Sequence, residues 1–167
     1  MTRPFRAAIF CLLFQTLMPL AASAQGANVS FGGGLQQDTS APVEVTADNL
    51  AVNQKDGTAL YTGNVVIVQG DMRLAAPRVL VIFSEDQNKI QRMEATGGVV
   101  LVSGEEAAEA ERADYNIEDG LVVMSGDVLL TQGQSALTSE RMVVNLDTGT
   151  AQMTGRVKTV IRQEEGQ

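Results

Sequence analysis

The chain has 167 residues, a length that allows one ordinary domain, and a net charge of −8 at pH 7 from 20 acidic and 12 basic residues. This acidic balance argues against nucleic acid and anionic membrane surfaces as electrostatic partners. The sequence has no histidine, and this excludes a Ser-His-Asp triad and a histidine-bound metal. It has one cysteine, Cys11. We expect a protein that is not an enzyme and holds no cofactor or metal, although a carboxylate pair of the glycosidase type stays open.

The first residues have the pattern of a secretory signal peptide. Arg3 and Arg6 precede an uncharged apolar stretch, residues 7–20, and then Ala22-Ser23-Ala24, the small-x-small sequence that signal peptidases cleave. The apolar stretch is shorter than the roughly 20 residues that span a bilayer. We therefore predict that residues 1–24 are removed on export, and with them Cys11. An uncleaved membrane anchor is the competing interpretation.

Composition divides the remaining chain into three segments. Residues 25–41 are rich in glycine and glutamine and are predicted to be a flexible leader. Residues 42–162 carry nearly all the strand-like runs and are predicted to form one domain. Residues 163–167 are a polar tail that we expect to be frayed.

The predicted domain repeats a glycine-centred unit. A Ser/Thr-Gly-x sequence followed by β-branched or aliphatic residues occurs at Gly63, Gly97, Gly126 and Gly155. Asp-Gly or Thr-Gly pairs between these units favour hairpin turns, because glycine tolerates positive φ. A glycine inside a strand marks a bulge or a sharp bend. The pattern therefore predicts an all-β domain whose long sheet bends at each unit and folds on itself, with open ends.

The segment from Glu105 to Arg112 is the best candidate for a helix. Its residues have good helix propensity. Its place in the repeat matches Asp71 to Ala76, which has the pattern of a strand or a connection. We favour a solvated acidic edge strand here, with a helix as the alternative.

Alternation along the strands divides the apolar residues into two rows. One row is rich in aliphatic residues and methionine and is predicted to be the inner face. Two interpretations of it stay open: a tightly packed interior, or a lumen that receives flexible aliphatic chains, for which adaptable methionines are suited. The predicted inner-face residues are Leu50, Val52, Tyr61, Val65, Ile67, Val79, Val81, Val99, Leu101, Met124, Val128, Leu130, Met142, Val144, Met153 and Val157.

The first and last strands of an open sheet carry unpaired backbone groups that invite another strand. The predicted partner edges contain Val43, Val45, Arg156, Lys158 and Val160. The basic residues either act as gatekeepers against aggregation or set the partner and register of an end-to-end pairing. The sequence does not separate these two roles.

Three stretches resemble the OstA-like domain family, and within it the LptA branch: Ala47–Val81, MEATGGVVLV at 93–102 and GLVVMSGDVLLTQG at 120–133. The resemblance covers about Pro42 to Val160 and is most specific at Tyr61–Val65 and in the spacing of Asp48, Gly57 and Gly63. It implies an all-β fold, a single antiparallel twisted β-jellyroll of repeated strand–Gly–strand units that is open at both ends.

The resemblance also implies a function without catalysis. Members of this family are periplasmic proteins that shield the lipid A acyl chains of lipopolysaccharide in an apolar groove and pass the lipid from the inner to the outer membrane. They join end to end as homo-oligomers and bind an LptC-like inner-membrane protein and an LptD-like outer-membrane protein. The alternative from another class is an exported structural or adhesive β-repeat protein without a lipid ligand.

Overall fold

A computed structural model describes residues 27–30, 38–85 and 89–161. Within these ranges the chain forms eleven β-strands and has no helix that could cross a membrane. The strands are β1 (Ala27–Ser30), β2 (Glu44–Thr46), β3 (Asn49–Asn53), β4 (Thr58–Gln69), β5 (Met72–Phe83), β6 (Ile90–Ser103), β7 (Glu106–Asn116), β8 (Leu121–Gln132), β9 (Ser135–Asn145), β10 (Thr150–Thr154) and β11 (Lys158–Ile161).

The described strands form one antiparallel sheet in the order β1-β10-β9-β8-β7-β6-β5-β4-β2. Most neighbours in the sheet are also neighbours in the chain, because glycine-containing turns connect them as hairpins. At one end β4 pairs with both β2 and β3, and towards the other end β9 pairs with both β10 and β11. The path does not close on itself, so the sheet has two open ends.

The four predicted glycine steps bend the sheet. Gly63 has a φ of +80° and lies where the pairing of β4 with β5 shifts register, so that residues 63 and 64 oppose the single residue Pro77. A Cβ on Gly63 would lie 2.5 Å from Asp48 Oδ2, and this close approach together with the positive φ favours glycine there. Equivalent register shifts occur in β6 and β8, and the fourth glycine separates β10 from β11. The predicted bends are confirmed.

The bends divide the sheet into two leaves whose inner faces pack against each other. Leaf 1 comprises β1, β3, β10 and residues 58–62, 78–83, 90–96, 112–116, 121–125 and 141–145; leaf 2 comprises β2, β11 and residues 65–69, 72–76, 99–103, 106–110, 128–132 and 135–139. Apolar residues of both leaves form one core cluster. The result is the predicted all-β jellyroll with open ends.

The segment that was the best helix candidate is β7, in the middle of the sheet between β6 and β8. The helix alternative is wrong, and so is the predicted position at an edge. Ala108 and Ala110 point inward, whereas Glu109 and Glu111 are exposed on the outer face. Pairing with a strand on both sides outweighs the intrinsic helix propensity of these residues.

The structure corrects the predicted leader at two places. Ala27–Ser30 is β1 and pairs with β10 in leaf 1. Thr39 and Ala41 accept hydrogen bonds through their carbonyl oxygens from Gln69 Nε2, at 2.9 and 3.1 Å, and Thr39 Oγ1 donates to Asp147 Oδ1 at 3.0 Å. The predicted signal peptide and polar tail lie outside the described residues, as does residue 162 at the end of the predicted domain.

Candidate functional site

The largest functional candidate is the apolar inner face. Twelve of the sixteen residues predicted for it are each at most 1% exposed. Their burial favours a packed interior for the central part of the jellyroll, the first of the two alternatives drawn from the sequence. These twelve are Val65, Ile67, Val79, Val81, Val99, Leu101, Met124, Val128, Leu130, Met142, Val144 and Met153.

The inner face becomes exposed at the end formed by β3. Leu50 and Val52 pair with Tyr61 and Ala59, which places them on the same side of the sheet as these inner residues. They are nevertheless 55% and 61% exposed, because β3 has one strand neighbour. Tyr61 is half-buried beside them. Leu50 and Val52 thus extend the inner face at β3, and its apolar lining is open to solvent there.

The opposite end of the jellyroll also exposes apolar side chains. Ile161 on β11 pairs with Ser135 and is 67% exposed, and Val160 is 47% exposed. Val157 was predicted to be on the inner face, but it lies between β10 and β11 and is 38% exposed. The paired residues of β11 begin at Lys158, so Val157 lies just outside the strand.

The predicted partner-edge residues differ in their surroundings. Val43 and Val45 are half-buried and pack against the core, with Val45 paired to Ile67. Lys158 and Val160 are exposed on β11. Arg156 has a partner within the chain: its Nε donates to Glu140 Oε1 at 2.7 Å, and its Nη2 lies 2.6 Å from the same oxygen.

The Arg156 contact has an equivalent at the first glycine bulge, which sequence reasoning missed. There Asn64 Nδ2 donates to Asp48 Oδ2 at 2.8 Å. In both pairs the acid precedes its partner by 16 residues and covers the intervening glycine, Gly63 or Gly155. We call each of these acid–partner contacts over a glycine a clamp. The repeated spacing from acid to glycine was the signal that could have identified the clamps.

The inner face of leaf 2 ends in a polar row, which sequence reasoning also missed. Consecutive cross-strand neighbours along this row, which we call the terminal row, are Gln69, Met72, Ser103, Glu106, Gln132 and Ser135. The next inner row is entirely apolar: Ile67, Leu74, Leu101, Ala108, Leu130 and Leu137. The polar side chain that directly precedes each turn glycine, as in Gln69-Gly70, was the available signal.

Two titratable groups lie at or against this polar row. Glu106 is 4% exposed, and burial raises the pKa of its carboxyl above the ordinary value, while a hydrogen bond of 2.8 Å from Gln132 Nε2 to its Oε1 acts in the opposite direction. Tyr115 of leaf 1 donates to Gln69 Oε1 at 2.8 Å. Burial, with a smaller contribution from the charge of Asp147, raises the pKa of Tyr115 to about 12.

The side chains in the described ranges form no group of three or more Cys, Asp or Glu residues that could hold a metal ion. Three of the four buried polar residues in these ranges, Gln69, Ser103 and Glu106, lie in this row along the sheet rather than around a common centre. The arrangement in this part of the chain is thus suited to lining an apolar surface and its polar border.

Comparison with known proteins places this geometry in a family. Residues 44–150 match the family model described as LptA/(LptD N-terminal domain) LPS transport protein. An uncharacterized protein of Rhizobium meliloti is 31% identical over 116 residues, which cover 65% of this chain and 62% of that protein. The lipopolysaccharide export system protein LptA of Haemophilus influenzae is 30% identical over 87 residues, covering 52% of this chain and 46% of LptA.

A solved structure shares the fold. LptH of Pseudomonas aeruginosa, described as the LptA homologous periplasmic component of the lipopolysaccharide transport device, matches with a TM-score of 0.69 and 19% identity. The match covers 76% of this chain and 99% of LptH. The family model spans more than half of the chain, from β2 to the start of β10. The chain belongs to the family of LptA and LptD amino-terminal domain lipopolysaccharide transport proteins.

Proposed function

We propose that this protein is a periplasmic carrier that passes lipopolysaccharide from the inner to the outer membrane and shields the lipid A acyl chains on its apolar inner face. The observation that carries the proposal is the continuity of this face: it runs from exposed Leu50 and Val52 through the buried core to exposed Ile161. A face that a soluble protein leaves apolar and exposed at both ends is suited to an apolar ligand. Family membership and the signal-peptide pattern support the transport role and the export.

Entry of an acyl chain requires the two leaves to separate, because the central side chains fill the interior. Met124, Met142 and Met153 are adjacent across three strands on the inner face of leaf 1. Unbranched methionine side chains adjust to new neighbours at low cost. We infer that acyl chains enter at an exposed end and replace contacts between the leaves with contacts to these side chains.

We also propose that copies join end to end through their open edges. Glu44 on β2 and Lys158 on β11 are both exposed, at the two opposite edges of leaf 2. When the β11 edge of one copy pairs with the β2 edge of another, opposite charges are brought together, which favours this pairing over like edges. The same edges would receive an LptC-like protein at the inner membrane and an LptD-like protein at the outer membrane. The protein would act without catalysis.

The binding test compares lipopolysaccharide with the same molecule after complete deacylation. If the inner face binds acyl chains, intact lipopolysaccharide binds and the deacylated saccharide loses at least tenfold in affinity. Replacing Leu50 by Glu should weaken binding of the intact lipid, whereas the matched change Val100→Glu on the outer face should not. Equal binding of the two ligands would overturn the proposal.

A second candidate is an exported structural β-repeat protein with a packed core. The observation in its favour is the burial of the twelve central inner residues. This candidate expects no binding of either ligand and an unfolding free energy that does not respond to the lipid. The same titration therefore separates the two functions.

A further inference from the structure

The terminal row is a border of hydrogen-bonding side chains, with Met72 among them, along an apolar surface. Gln69, Ser103 and Glu106 are 2%, 1% and 4% exposed, although polar side chains are rarely buried to this degree without a partner. The row follows the free end of leaf 2, beside the turns at Gly70, Gly104 and Gly133. A ligand that lies with its tails on the apolar rows therefore has its polar attachment points at this row.

One atom of the row has no partner among the residues that the structure describes. Glu106 Oε2 is buried and makes no hydrogen bond, while Oε1 accepts from Gln132 Nε2 at 2.8 Å. Glu106 lies in the same inward-facing alternation as Ala108 and Ala110, so its carboxyl is on the inner side of the leaf. A buried polar atom without a partner is destabilising unless a ligand completes it.

The chemistry of the row selects a class of ligand. Gln69 already donates both amide hydrogens to Thr39 and Ala41, and Gln132 donates one to Glu106. When protonated, the Glu106 carboxyl donates one hydrogen bond from the oxygen that has no partner. Carbonyl oxygens are the matching acceptors, whereas the row contains no cation to pair with a phosphate. Ester and amide carbonyls occur where acyl chains are joined to a lipid headgroup. These carbonyls lie one or two bonds from the apolar tail of the lipid. In the protein, the terminal row likewise lies directly beside an apolar row of the inner face.

We propose that the terminal row, with Glu106 at its centre, binds the ester or amide carbonyl groups of the acylated lipid whose chains lie on the inner face. This inference rests on the proposed function and deepens it, because it assigns recognition of the acyl linkage to residues separate from the apolar lining. The completing hydrogen bond runs from the protonated Glu106 carboxyl, the form that prevails below pH 4.5, to a carbonyl oxygen of the ligand.

The test uses three purified probes: lipopolysaccharide, an ester-linked lysophosphatidylcholine, and the ether-linked lysophosphatidylcholine of the same chain length. Binding is measured at about pH 4, where the Glu106 carboxyl is protonated. The ether lacks the carbonyl and keeps the tail and the headgroup. We expect the wild type to bind the ester about fivefold more tightly than the ether, the effect of one hydrogen bond. Glu106→Met should abolish this preference, weaken lipopolysaccharide binding about fivefold and leave ether binding unchanged.

Two variants make the result specific. Glu106→Gln keeps a donor at the same position and should retain both the ester preference and the affinity for lipopolysaccharide. Glu109→Met makes the same change on the outer face of β7 and should behave as the wild type. Thermal unfolding of each variant shows whether it is folded at the assay temperature. Because Glu106→Met removes an unpartnered buried atom, we expect it to be no less stable than the wild type at pH 7.5.

The outcomes separate the two proposals. If lipopolysaccharide binds to Glu106→Met as it does to the wild type, the carrier function stands and the role of the terminal row is refuted. An equal loss of ester and ether binding in Glu106→Met also refutes it, because the defect is then not specific to the carbonyl. If the wild type binds none of the three probes, both the carrier function and the carbonyl site are overturned.

Discussion

The hydroxyl of Tyr115 in β7 donates a hydrogen bond of 2.8 Å to Oε1 of Gln69 in β4, and this bond joins the two leaves across the interior. Both side chains are 2% exposed. The Gln69 amide nitrogen in turn donates to the carbonyl oxygens of Thr39 and Ala41. The chain before β2 is thus fastened to the same polar contact that connects the leaves.

Removing the Tyr115 hydroxyl should loosen the contact between the leaves. Tyr115→Phe leaves Gln69 Oε1 buried without its donor, so we expect the free energy of unfolding to fall by about 1–3 kcal/mol. Urea unfolding of the wild type, Tyr115→Phe, Gln69→Met and the double variant gives the coupling energy directly. Strict additivity of the two single changes would contradict the contact.

Ionisation of Glu106 should cost stability. Burial raises its pKa in the folded protein above the ordinary value of 4.5, so the folded state binds this proton more tightly than the unfolded chain does. The contribution of Glu106 to stability is therefore most favourable below about 4.5 and is lost as pH rises through the folded pKa. We expect Glu106→Gln to be more stable than the wild type at pH 8, with a difference that shrinks towards pH 4.

Chemical unfolding across this pH range measures the Glu106 difference. Glu109→Gln is on the exposed face of the same strand and changes the net charge by the same amount. It therefore measures the effect of net charge on stability without the effect of burial. A stability gain for Glu106→Gln that is constant from pH 4 to pH 8 would contradict the raised pKa.

The bulge glycines should tolerate substitution less well than the turn glycines. Gly126 has a φ of +83°, and a Cβ there would lie 2.5 Å from Glu111 Oε2 and 2.8 Å from its Cβ. Gly133 has a φ of +54° with nothing within 4 Å of a Cβ. We expect Gly133→Ala to cost about 1 kcal/mol from its backbone conformation and Gly126→Ala about 2–4 kcal/mol, since it adds a steric clash. Equal costs in thermal unfolding would argue against the close approach.

The two leaf edges should associate through opposite charges. We expect Lys158→Glu alone and Glu44→Lys alone to weaken self-association several-fold, because each places like charges on edges that face each other. The double variant restores the opposite pair and should recover association. Light scattering over a concentration series measures the oligomer size. If the double variant forms oligomers no larger than those of the single variants, the result counts against this pairing.

Arg156 is a poorer probe of the edge than the sequence indicated. Charge reversal at Arg156 together with Lys158 should also weaken association, but Arg156 pairs with Glu140 in the same chain, so its reversal also disturbs the contact beside Gly155. The pair is exposed and contributes at most about 1 kcal/mol. A fall in unfolding free energy beyond that range for Arg156→Ala would show that the clamp does more than pair two surface charges.

Sequence patterns predicted the parts of the fold that depend on local chemistry. The glycine steps and turns require particular backbone angles, so Gly63, Gly97, Gly126 and Gly155 mark the bends correctly. Alternation then places most of the inner residues on the correct face. Glu105 to Arg112 was harder, because its helix propensity conflicts with its strand pairing in β7. Pairing on both sides depends on the position of the strand in the sheet.

The features that sequence reasoning missed depend on contacts between distant parts of the chain. The pairing of Ala27–Ser30 with β10 joins opposite ends of the sequence, and no local pattern indicates it. The terminal row becomes visible only when the register aligns Ser103 with Glu106 and Glu106 with Gln132. Exposure of Leu50 likewise follows from the position of β3 at the end of a leaf rather than from its own residue type.

Site-specific photo-crosslinking with lipopolysaccharide tests most directly whether acyl chains lie between the leaves. A photoreactive amino acid is placed singly at Leu50, Ile67, Leu101 or Leu130 on the inner face and at Val100 on the outer face. The carrier role predicts lipid adducts at the inner positions, strongest at the exposed Leu50, and only background at Val100. Adduct yields at the inner positions that do not exceed the yield at Val100 would contradict it.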